Sequence, residues 1–400
     1  MDYGGAGKYA VDFNNLLCRE GYDSFIIVKD ARSNDENVIQ YIPHKFENLW
    51  ARLKRKIGKT RISKIEFEYD YYFYDKFQTF TTVSATHILA LLPQKPNIIF
   101  VHWVTDFINA ETIHELHELT QAKIYWLMID NAPITGGCHY PWQCKGFKTD
   151  CSNCPAIVEK KYKRIAKDNL EFKKKYLPDN ISIIAFSETD YQRAIRASTF
   201  KDVIKWIGVV DQTKFTFANK NQLKAYFGLS PNQKVVFCGA SSLKEKRKGV
   251  HLLIEVIKQL ESKNIIFLMA GSSASSIEVN NLKLLGELDE EQLIKAYQAA
   301  DVFVCPSLED SGPMMINQSL MCGTPVVSFS VGVAQDLVEN GQTGYIAEWG
   351  NTESLTKAVM KILELSQNDY QTMSDNCREI AIEKYSVGVH TKLITDLINS

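Results

Sequence analysis

Residues 306–329 carry the sequence PSLEDSGPMMINQSLMCGTPVVSF and follow the short apolar run Val302–Cys305. The apolar run predicts a buried strand, and the small and acidic residues after it predict a loop that opens a helix near Met315. The turn Cys322–Pro325 leads into a second apolar run, which ends at Phe329. Ligands of open α/β sheets bind at the carboxyl ends of strands, where the first turn of a helix offers free N–H groups. The stretch therefore predicts a strand–loop–helix–strand unit with a ligand-binding loop.

Apolar runs of the same kind alternate with helical patterns along nearly the whole chain. Each run is continuously apolar, which suits strands that are buried on both faces of a parallel sheet. Between them lie amphipathic helices, such as the one predicted from Val250 to Leu260, and this alternation implies βαβ units and a doubly wound sheet. The other predicted strands are Phe25–Lys29, Ile98–Trp103, Ile124–Ile129, Ile181–Phe186, Val235–Gly239 and Ile265–Ala270.

A chain of 400 residues is too long for one ordinary hydrophobic core. The pattern of strands and helices restarts near Trp206–Phe215, where we place the hinge between two domains. The predicted fold class is therefore α/β, with two doubly wound Rossmann-like domains at residues 1–210 and 211–384. Residues 385–400 are predicted to form a C-terminal helix that packs back on the first domain.

The composition is that of an ordinary globular protein, with 45% apolar and 23% charged residues. The formal net charge of −1 gives no reason to expect a nucleic-acid partner. The first residues lack the apolar core of a secretory signal, and no stretch has the roughly 18 apolar residues that span a bilayer. Because nine cysteines occur without an export signal, we expect a reducing, cytoplasmic location.

One basic segment departs from this pattern. Residues Lys45–Lys64 have eight Lys or Arg against one Glu, with apolar side chains at helical spacing. One interpretation is a solvated surface helix. The other is a helix that lies on an anionic membrane surface, which would make the protein peripheral on the inner face of the membrane.

The stretch 306–329 resembles the acidic signature of family-four glycosyltransferases of the GT-B fold, which has two Glu eight positions apart and then a Cys-Gly-Thr-Pro turn. The resemblance covers nearly the whole chain and implies two Rossmann-like domains that face each other across a cleft. Asp310 and Gln318 occupy the two positions, and Glu309 precedes the first. The resemblance implies that Gln318 holds the ribose of a donor nucleotide, and that Asp310 or Glu309 lies near the sugar and the α-phosphate. Gln318 keeps an acceptor oxygen but lacks the charge of Glu.

A second loop, Gly239–Gly249, follows the run Val235–Cys238 and contains four basic residues. Lys and Arg side chains at such a loop neutralise the charge that grows on a leaving diphosphate. The resemblance assigns the family's diphosphate-binding lysine to Lys248. Arg247 is expected to replace the family's arginine, because Ala240 stands at that position. The alternative interpretation is a solvated basic turn.

The same resemblance assigns further donor contacts. Gly271 corresponds to the wall beside the nucleotide base, and Leu288 belongs to a loop that grips the base through its backbone. Such backbone contacts do not reveal which base is bound. Ser311, Gly312 and Met314 of the acidic signature are also assigned to the donor nucleotide sugar.

In the first half of the chain, Gly4 and Gly5 open a helix, where glycines let a phosphate or substrate approach the backbone closely. His102 ends a predicted strand at the edge of the sheet where ligands bind, although a structural histidine is the alternative. The resemblance implies that the glycines face donor and acceptor and that His102 contacts the transferred sugar. Family members carry a strand before this glycine loop, so we expect that the chain lacks its first strand or has an unusual sheet.

Four cysteines, Cys138, Cys144, Cys151 and Cys154, fall within seventeen residues with the spacing C-x5-C-x6-C-x2-C. Thiolates this close in an intracellular chain suit a tetrahedral structural zinc, with His139 as a substitute ligand. The alternative is a set of reduced thiols in an irregular loop.

The resemblance implies a retaining hexosyltransferase that moves a sugar from a nucleotide diphosphate sugar to a glycan or lipid-linked glycan in polysaccharide biosynthesis. Such enzymes are thought to use the leaving phosphate to take the acceptor proton. No Asp-x-Asp motif follows an apolar strand, so we expect no cofactor in catalysis. Two alternatives stay open. One is a nucleotide-sugar epimerase of the same fold, and the other is a non-catalytic binding protein, which Gln318 in place of Glu favours.

Overall fold

The computed structural model describes residues 4–33, 35–43, 65–76, 78–81, 83–261, 264–272 and 279–399. The basic segment Lys45–Lys64 lies outside the described residues. The chain divides into two α/β units. The first comprises Met1–Phe186 and Asp190–Trp206, and the second comprises Ser187–Thr189 and Ile207–Ser400.

Short parallel strands and helices alternate through the first half of the chain. In chain order they are α1 (Gly4–Arg19), β1 (Ile26–Val28), β2 (Val38–Gln40), α2 (Ala85–Ala90), β3 (Ile98–Val101), α3 (Ala110–Thr120), β4 (Lys123–Met128), α4 (Arg164–Tyr176), β5 (Ser182–Ala185), α5 (Glu188–Ala197) and β6 (Asp202–Lys205). The predicted α/β alternation is therefore present in this half.

The described strands of the first unit form two separate parallel sheets. One has the order β3-β4-β5-β6, and β1 pairs with β2 in the other. The strand β5 is buried along its whole length, and β4 is buried from Ile124 to Met128. Burial of successive residues along a strand requires apolar side chains on both faces of the sheet, which explains the continuous apolar runs at these positions.

The second unit repeats the alternation around a single larger sheet. Its elements are α6 (Lys220–Tyr226), β7 (Lys234–Ser242), α7 (Val250–Gln259), β8 (Ile265–Ser272), β9 (Leu282–Gly286), α8 (Glu290–Ala299), β10 (Val302–Cys305), α9 (Met314–Met321), β11 (Val326–Phe329), α10 (Ala334–Leu337), β12 (Gly344–Ala347), α11 (Thr352–Leu363), α12 (Gln367–Tyr385) and α13 (Val387–Asn399).

The six described strands of this sheet are all parallel, in the order β12-β11-β10-β7-β8-β9. β7 therefore lies between β10 and β8, and the loops that follow β7 and β10 leave the same edge of the sheet side by side. The strand order reverses between β10 and β7, as it does in a doubly wound sheet. Ligands of such sheets bind at the point of reversal.

Local sequence explains where several helices of the second unit begin. The N-cap Asp289 accepts a hydrogen bond from the Gln292 backbone N–H at 2.8 Å, and the Gln292 side chain accepts one from the Asp289 N–H at 3.1 Å. This reciprocal capping box satisfies two donors at the start of α8. Asn351 caps α11 in a similar way through the Ser354 N–H. None of the described helices combines the length and apolar character needed to cross a membrane.

Candidate functional site

The loops after β7 and β10 lie against each other in the second unit. The backbone N–H groups of Leu308 and Glu309 donate to the carbonyl oxygen of Arg247 at 2.7 and 3.3 Å. Gly249 makes this approach feasible, because its φ is +66° and an added Cβ would overlap the carbonyl oxygen of Pro306. The glycine of the Lys248-Gly249 pair is thus explained by close packing of the two loops.

Asp310 joins the two basic side chains of the first loop. Its Oδ2 lies 2.6 Å from Lys248 Nζ and 3.4 Å from Arg247 Nη1. Its Oδ1 accepts a hydrogen bond from the Ser311 backbone N–H at 3.1 Å. Arg247 also lies 2.7 Å from Glu245 through Nη2 and Oε2. Asp310 is 6% exposed and Arg247 is 8% exposed, so the group is largely shielded from water.

The charges in this group determine the protonation state of Asp310. Burial alone would raise the pKa of its carboxyl, but Lys248 and then Arg247 outweigh burial and hold the pKa below its usual value. Asp310 is therefore ionised at neutral pH and compensates cations that sit beside a strand end. An anionic ligand that reached Lys248 would compete with this carboxylate.

The structure brings together four of the residues that the sequence singled out: Lys248, Arg247, Asp310 and Ser311. Glu309 joins them through its backbone N–H. Gly312 follows directly and is half-buried, and Met314 begins the helix α9.

Gln318 lies on α9 and contacts a tyrosine that sequence reasoning missed. Tyr297 Oη donates a hydrogen bond to Gln318 Oε1 at 3.1 Å. Tyr297 belongs to α8, and its ring packs edge-on against Phe237 and Phe303 with ring centroids 5.1 and 5.4 Å apart. In the sequence, Tyr297 is marked only by its position shortly before an apolar strand. A residue of the hydrophobic core would occupy the same position.

The residues assigned to the base side occupy the other side of β7. Gly271 is the next-to-last residue of β8 and has φ +143°, and a Cβ there would overlap the carbonyl oxygen of Ala240. Glycine at this position therefore lets the end of β8 pack closely against the end of β7. Leu288 is half-buried in the connection between β9 and α8.

In the first unit, His102 follows β3 and packs against α1. Its ring meets Phe13 and Tyr9 edge-on, with centroids 5.6 and 6.5 Å apart. Within the described part of the chain, His102 Nδ1 and Tyr9 Oη are buried without a hydrogen-bond partner. Burial lowers the pKa of His102 to about 4, so the ring is neutral at pH 7. Gly4 is the first residue of α1, and an added Cβ on Gly5 would meet no atom within 4 Å.

The four clustered cysteines line one small pocket that also includes Phe73 and Phe147. Burial raises the pKa of Cys151 to about 11 and that of Cys154 to about 12, so these thiols are protonated at neutral pH. Over the described ranges, no group of three or more His, Cys, Asp or Glu side chains is arranged to hold a metal ion. The predicted zinc at Cys138, Cys144, Cys151 and Cys154 is thus not supported, and the thiols pack as small apolar groups.

His139, predicted as a substitute zinc ligand, belongs to a separate buried ion-pair network. Its Nδ1 lies 2.7 Å from Asp130 Oδ2, and its Nε2 lies 3.8 Å from Asp75 Oδ1. Lys173 Nζ lies 3.6 Å from Asp75 Oδ2 on the other side. Burial would lower the pKa of His139, but Asp130 and then Asp75 outweigh burial and raise the pKa to about 10. The charged imidazolium therefore holds the loop after β4 in place.

A family model and several curated proteins match part of the chain. Residues 218–380 match the family model for glycosyl transferases group 1. The processive diacylglycerol alpha-glucosyltransferase of Acholeplasma laidlawii is 26% identical over 196 residues, which cover 45% of this chain and 56% of that protein. The capsular polysaccharide biosynthesis glycosyltransferase CapM of Staphylococcus aureus is 26% identical over 235 residues, 54% of this chain and 61% of that protein. The chain spans about half the length of the first curated relatives that it matches.

Solved structures resemble the chain along its whole length. Sucrose-phosphate synthase from Thermosynechococcus elongatus has a TM-score of 0.69 at 15% identity, covering 99% of this chain and 94% of that chain. Anabaena HepE in complex with UDP and glucose has a TM-score of 0.67 at 14% identity, covering 99% and 96%. At these identities the likeness shows the fold alone. The chain therefore has the GT-B fold, and its residues 218–380 match the glycosyl transferases group 1 family.

Proposed function

We propose that the protein is a retaining hexosyltransferase that moves a sugar from a nucleotide diphosphate sugar to a glycan or lipid-linked glycan in polysaccharide biosynthesis. The observation that carries the proposal is the charged group after β7 and β10. Lys248 and Arg247 lie in the loop that follows β7, where they could meet a diphosphate, and Asp310, in the loop that follows the adjacent strand β10, compensates their charge before a ligand binds. The complex of HepE with UDP and glucose and the capsular role in the name of CapM support the donor and pathway classes.

The proposed reaction exchanges one bond at the sugar. The bond between the anomeric carbon and the diphosphate oxygen breaks, and the acceptor oxygen bonds to the same face of that carbon. The acceptor proton passes to the leaving diphosphate. Negative charge grows on that diphosphate in the transition state, where Lys248 would stabilise it. Because the charge of Lys248 is already positioned by Asp310, little reorganisation is needed when the reaction occurs.

His102 is proposed to contact the transferred sugar as a neutral hydrogen-bonding group. Its lowered pKa, about 4, means that it would bind a sugar hydroxyl without adding charge. The buried Nδ1 has no hydrogen-bond partner among the described residues, which suits a group that waits for a ligand. The nine free cysteines suit a reducing cytoplasmic location.

A panel of nucleotide sugars tests this proposal. Each sugar is scored by thermal shift, because a donor that binds the folded chain stabilises it. Release of nucleoside diphosphate is then measured with and without a glycan acceptor. A transferase releases it when acceptor is present, whereas an epimerase alters the sugar without acceptor. A thermal shift with no release of nucleoside diphosphate and no change in the sugar would indicate a binding protein and would refute transfer.

A further inference from the structure

We propose that Tyr297 is a positioning residue, which turns the amide of Gln318 so that its NH2 group faces the ligand. The inference rests on the proposed function and on the expectation, implied by the family resemblance, that Gln318 meets the ribose of the donor. It goes beyond that function because it states that Gln318 donates the hydrogen bond to the ligand, and because it gives Tyr297 a role in that contact. The relationship that carries it is the 3.1 Å hydrogen bond from Tyr297 Oη to Gln318 Oε1.

The tyrosine ring is held rigidly by its surroundings. Tyr297 is 0% exposed. It packs edge-on against Phe237 of β7 and Phe303 of β10, with interplanar angles of 82° and 76°. Its backbone carbonyl also accepts a hydrogen bond from Thr324 Oγ1 at 2.8 Å. Because the ring cannot move without disturbing two strands, the hydroxyl offers Gln318 a fixed partner.

The hydroxyl proton decides which end of the amide meets Tyr297. Burial raises the pKa of Tyr297 well above its ordinary value, so the hydroxyl keeps its proton and needs an acceptor. Gln318 Oε1 is that acceptor. In the reversed amide, Nε2 would donate to Oη and the phenolic proton would be left without its acceptor, which is costly for a buried group. The oxygen of Gln318 therefore points toward Tyr297.

The opposite end of the amide is left for the ligand. Gln318 is half-buried, and we find no hydrogen bond from its Nε2 to another residue in the described part of the chain. An amide nitrogen has two protons to donate and accepts none. The ligand atom facing Gln318 must therefore be an acceptor, such as the oxygen of a ribose hydroxyl. A Glu at position 318 would bind the same hydroxyl in the reverse direction, as acceptor.

The first experiment measures nucleoside diphosphate binding by calorimetry, with UDP, GDP and ADP as probes. Tyr297→Phe removes one hydroxyl and keeps the ring, so the amide of Gln318 becomes free to turn. We expect the Kd of the tightest probe to rise about fivefold, the effect of one neutral hydrogen bond. In turnover with the matching nucleotide sugar, KM should rise while kcat stays within twofold.

The decisive comparison repeats Tyr297→Phe in a Gln318→Glu background. A carboxylate has two equivalent oxygens, so an acceptor oxygen faces the ligand whichever way the group is turned. Tyr297 is therefore no longer needed to set the orientation of the side chain at position 318. In the Gln318→Glu protein we therefore expect Tyr297→Phe to change Kd by less than twofold. This difference in Kd should appear even if Tyr297→Phe lowers the thermal stability equally with Gln or Glu at position 318. An equal rise in Kd in both backgrounds would overturn the positioning role and leave nucleotide binding intact. If no probe binds the unaltered protein, the proposed function fails, and the ligand role of the pair fails with it.

Discussion

Lys248 Nζ lies 2.6 Å from Asp310 Oδ2, and this ion pair links the loops that follow β7 and β10. The pair lies at the edge of the sheet where open α/β folds bind ligands. Its carboxylate stays ionised at neutral pH because Lys248 and Arg247 outweigh the effect of burial on its pKa. A diphosphate at this edge would therefore exchange one anionic partner of the lysine for another.

Lys248→Ala should reduce sugar transfer about 100-fold. The substitution removes a charge that acts on the leaving diphosphate, and one such electrostatic contact typically contributes about 3 kcal/mol to the transition state. The measurement is kcat/KM with the donor found in the panel. Lys244→Ala is the matched control, since Lys244 is an exposed lysine of the same loop. Equal activity of the two variants would remove Lys248 from the mechanism.

Asp310→Asn should tighten the binding of inorganic pyrophosphate about tenfold. The substitution keeps the shape of the side chain but leaves Lys248 and Arg247 without their compensating charge, and charged hydrogen bonds contribute more than neutral ones. Calorimetric titration with pyrophosphate measures the change in Kd. Asp310→Glu retains the charge and serves as the control. A Kd that does not change in Asp310→Asn would show that the cations do not face an anion site.

Gln318→Glu should retain nucleoside diphosphate binding or tighten it. A carboxylate at this position accepts from Tyr297 on one side and from a ribose hydroxyl on the other, and hydrogen bonds to a charged acceptor are stronger. The Kd of UDP, GDP and ADP for the variant and the unaltered protein provides the comparison. Loss of all nucleotide binding, with the thermal stability unchanged, would show that Gln318 does not face the ribose.

Gly249→Ala should destabilise the second unit far more than Gly350→Ala. Both glycines have a left-handed backbone, with φ of +66° and +72°, so the conformational strain of a side chain is matched. At Gly350 an added Cβ meets nothing within 4 Å, whereas at Gly249 it overlaps the Pro306 carbonyl oxygen. We expect about 1 kcal/mol for Gly350→Ala and at least about 3 kcal/mol for Gly249→Ala, measured by urea unfolding. Equal losses would mean that the two loops separate without cost.

His139 should make the stability of the first unit depend on alkaline pH. Its pKa is raised to about 10 from an ordinary value of 6.5, so folding favours the protonated form. The stabilisation is complete below pH 6.5 and is lost as the pH rises through about 10. Urea unfolding between pH 6.5 and 10 should show a falling free energy of unfolding, and His139→Gln should abolish this fall.

The matched control for this pH series is His117→Gln. His117 is half-buried in the same unit, and its Nδ1 contacts the Ala122 carbonyl oxygen at 3.0 Å instead of a carboxylate. This variant should keep the pH dependence of the unaltered protein. A flat stability profile in the unaltered protein would contradict the raised pKa of His139.

The inner strands of both units could be predicted from the sequence because burial on both faces demands a continuous apolar run. All eight predicted strands are present, including Val302–Cys305, which has the predicted bounds. The strands that we did not predict are β2, β6, β9 and β12. The latter three lie at sheet edges, and β2 belongs to the two-stranded sheet. Their partly exposed residues, as in the exposed and half-buried positions of Leu282–Gly286, erase the apolar signal.

The part of the candidate site that could be predicted consists of charged residues placed directly after strands. Lys248, Arg247 and Asp310 occupy loops that directly follow strands, so parallel pairing of β7 with β10 was enough to bring them together. Tyr297 was missed because its hydroxyl meets Gln318 from another helix, a contact that no spacing along the chain encodes. The zinc prediction was not supported because sequence spacing limits how near four thiols can be, but does not set the angles at which they meet.

The parallel pairing of β7 with β10 also has a kinetic consequence. The register places Val236 beside Val302, so more than sixty residues separate partners that touch. Contacts between such distant positions form slowly, because the chain loses the entropy of closing a long loop before the contacts can stabilise it. The two loops of the charged group meet only after this closure. During refolding, recovery of nucleotide affinity should therefore lag behind helix formation and follow the slowest phase of the second unit.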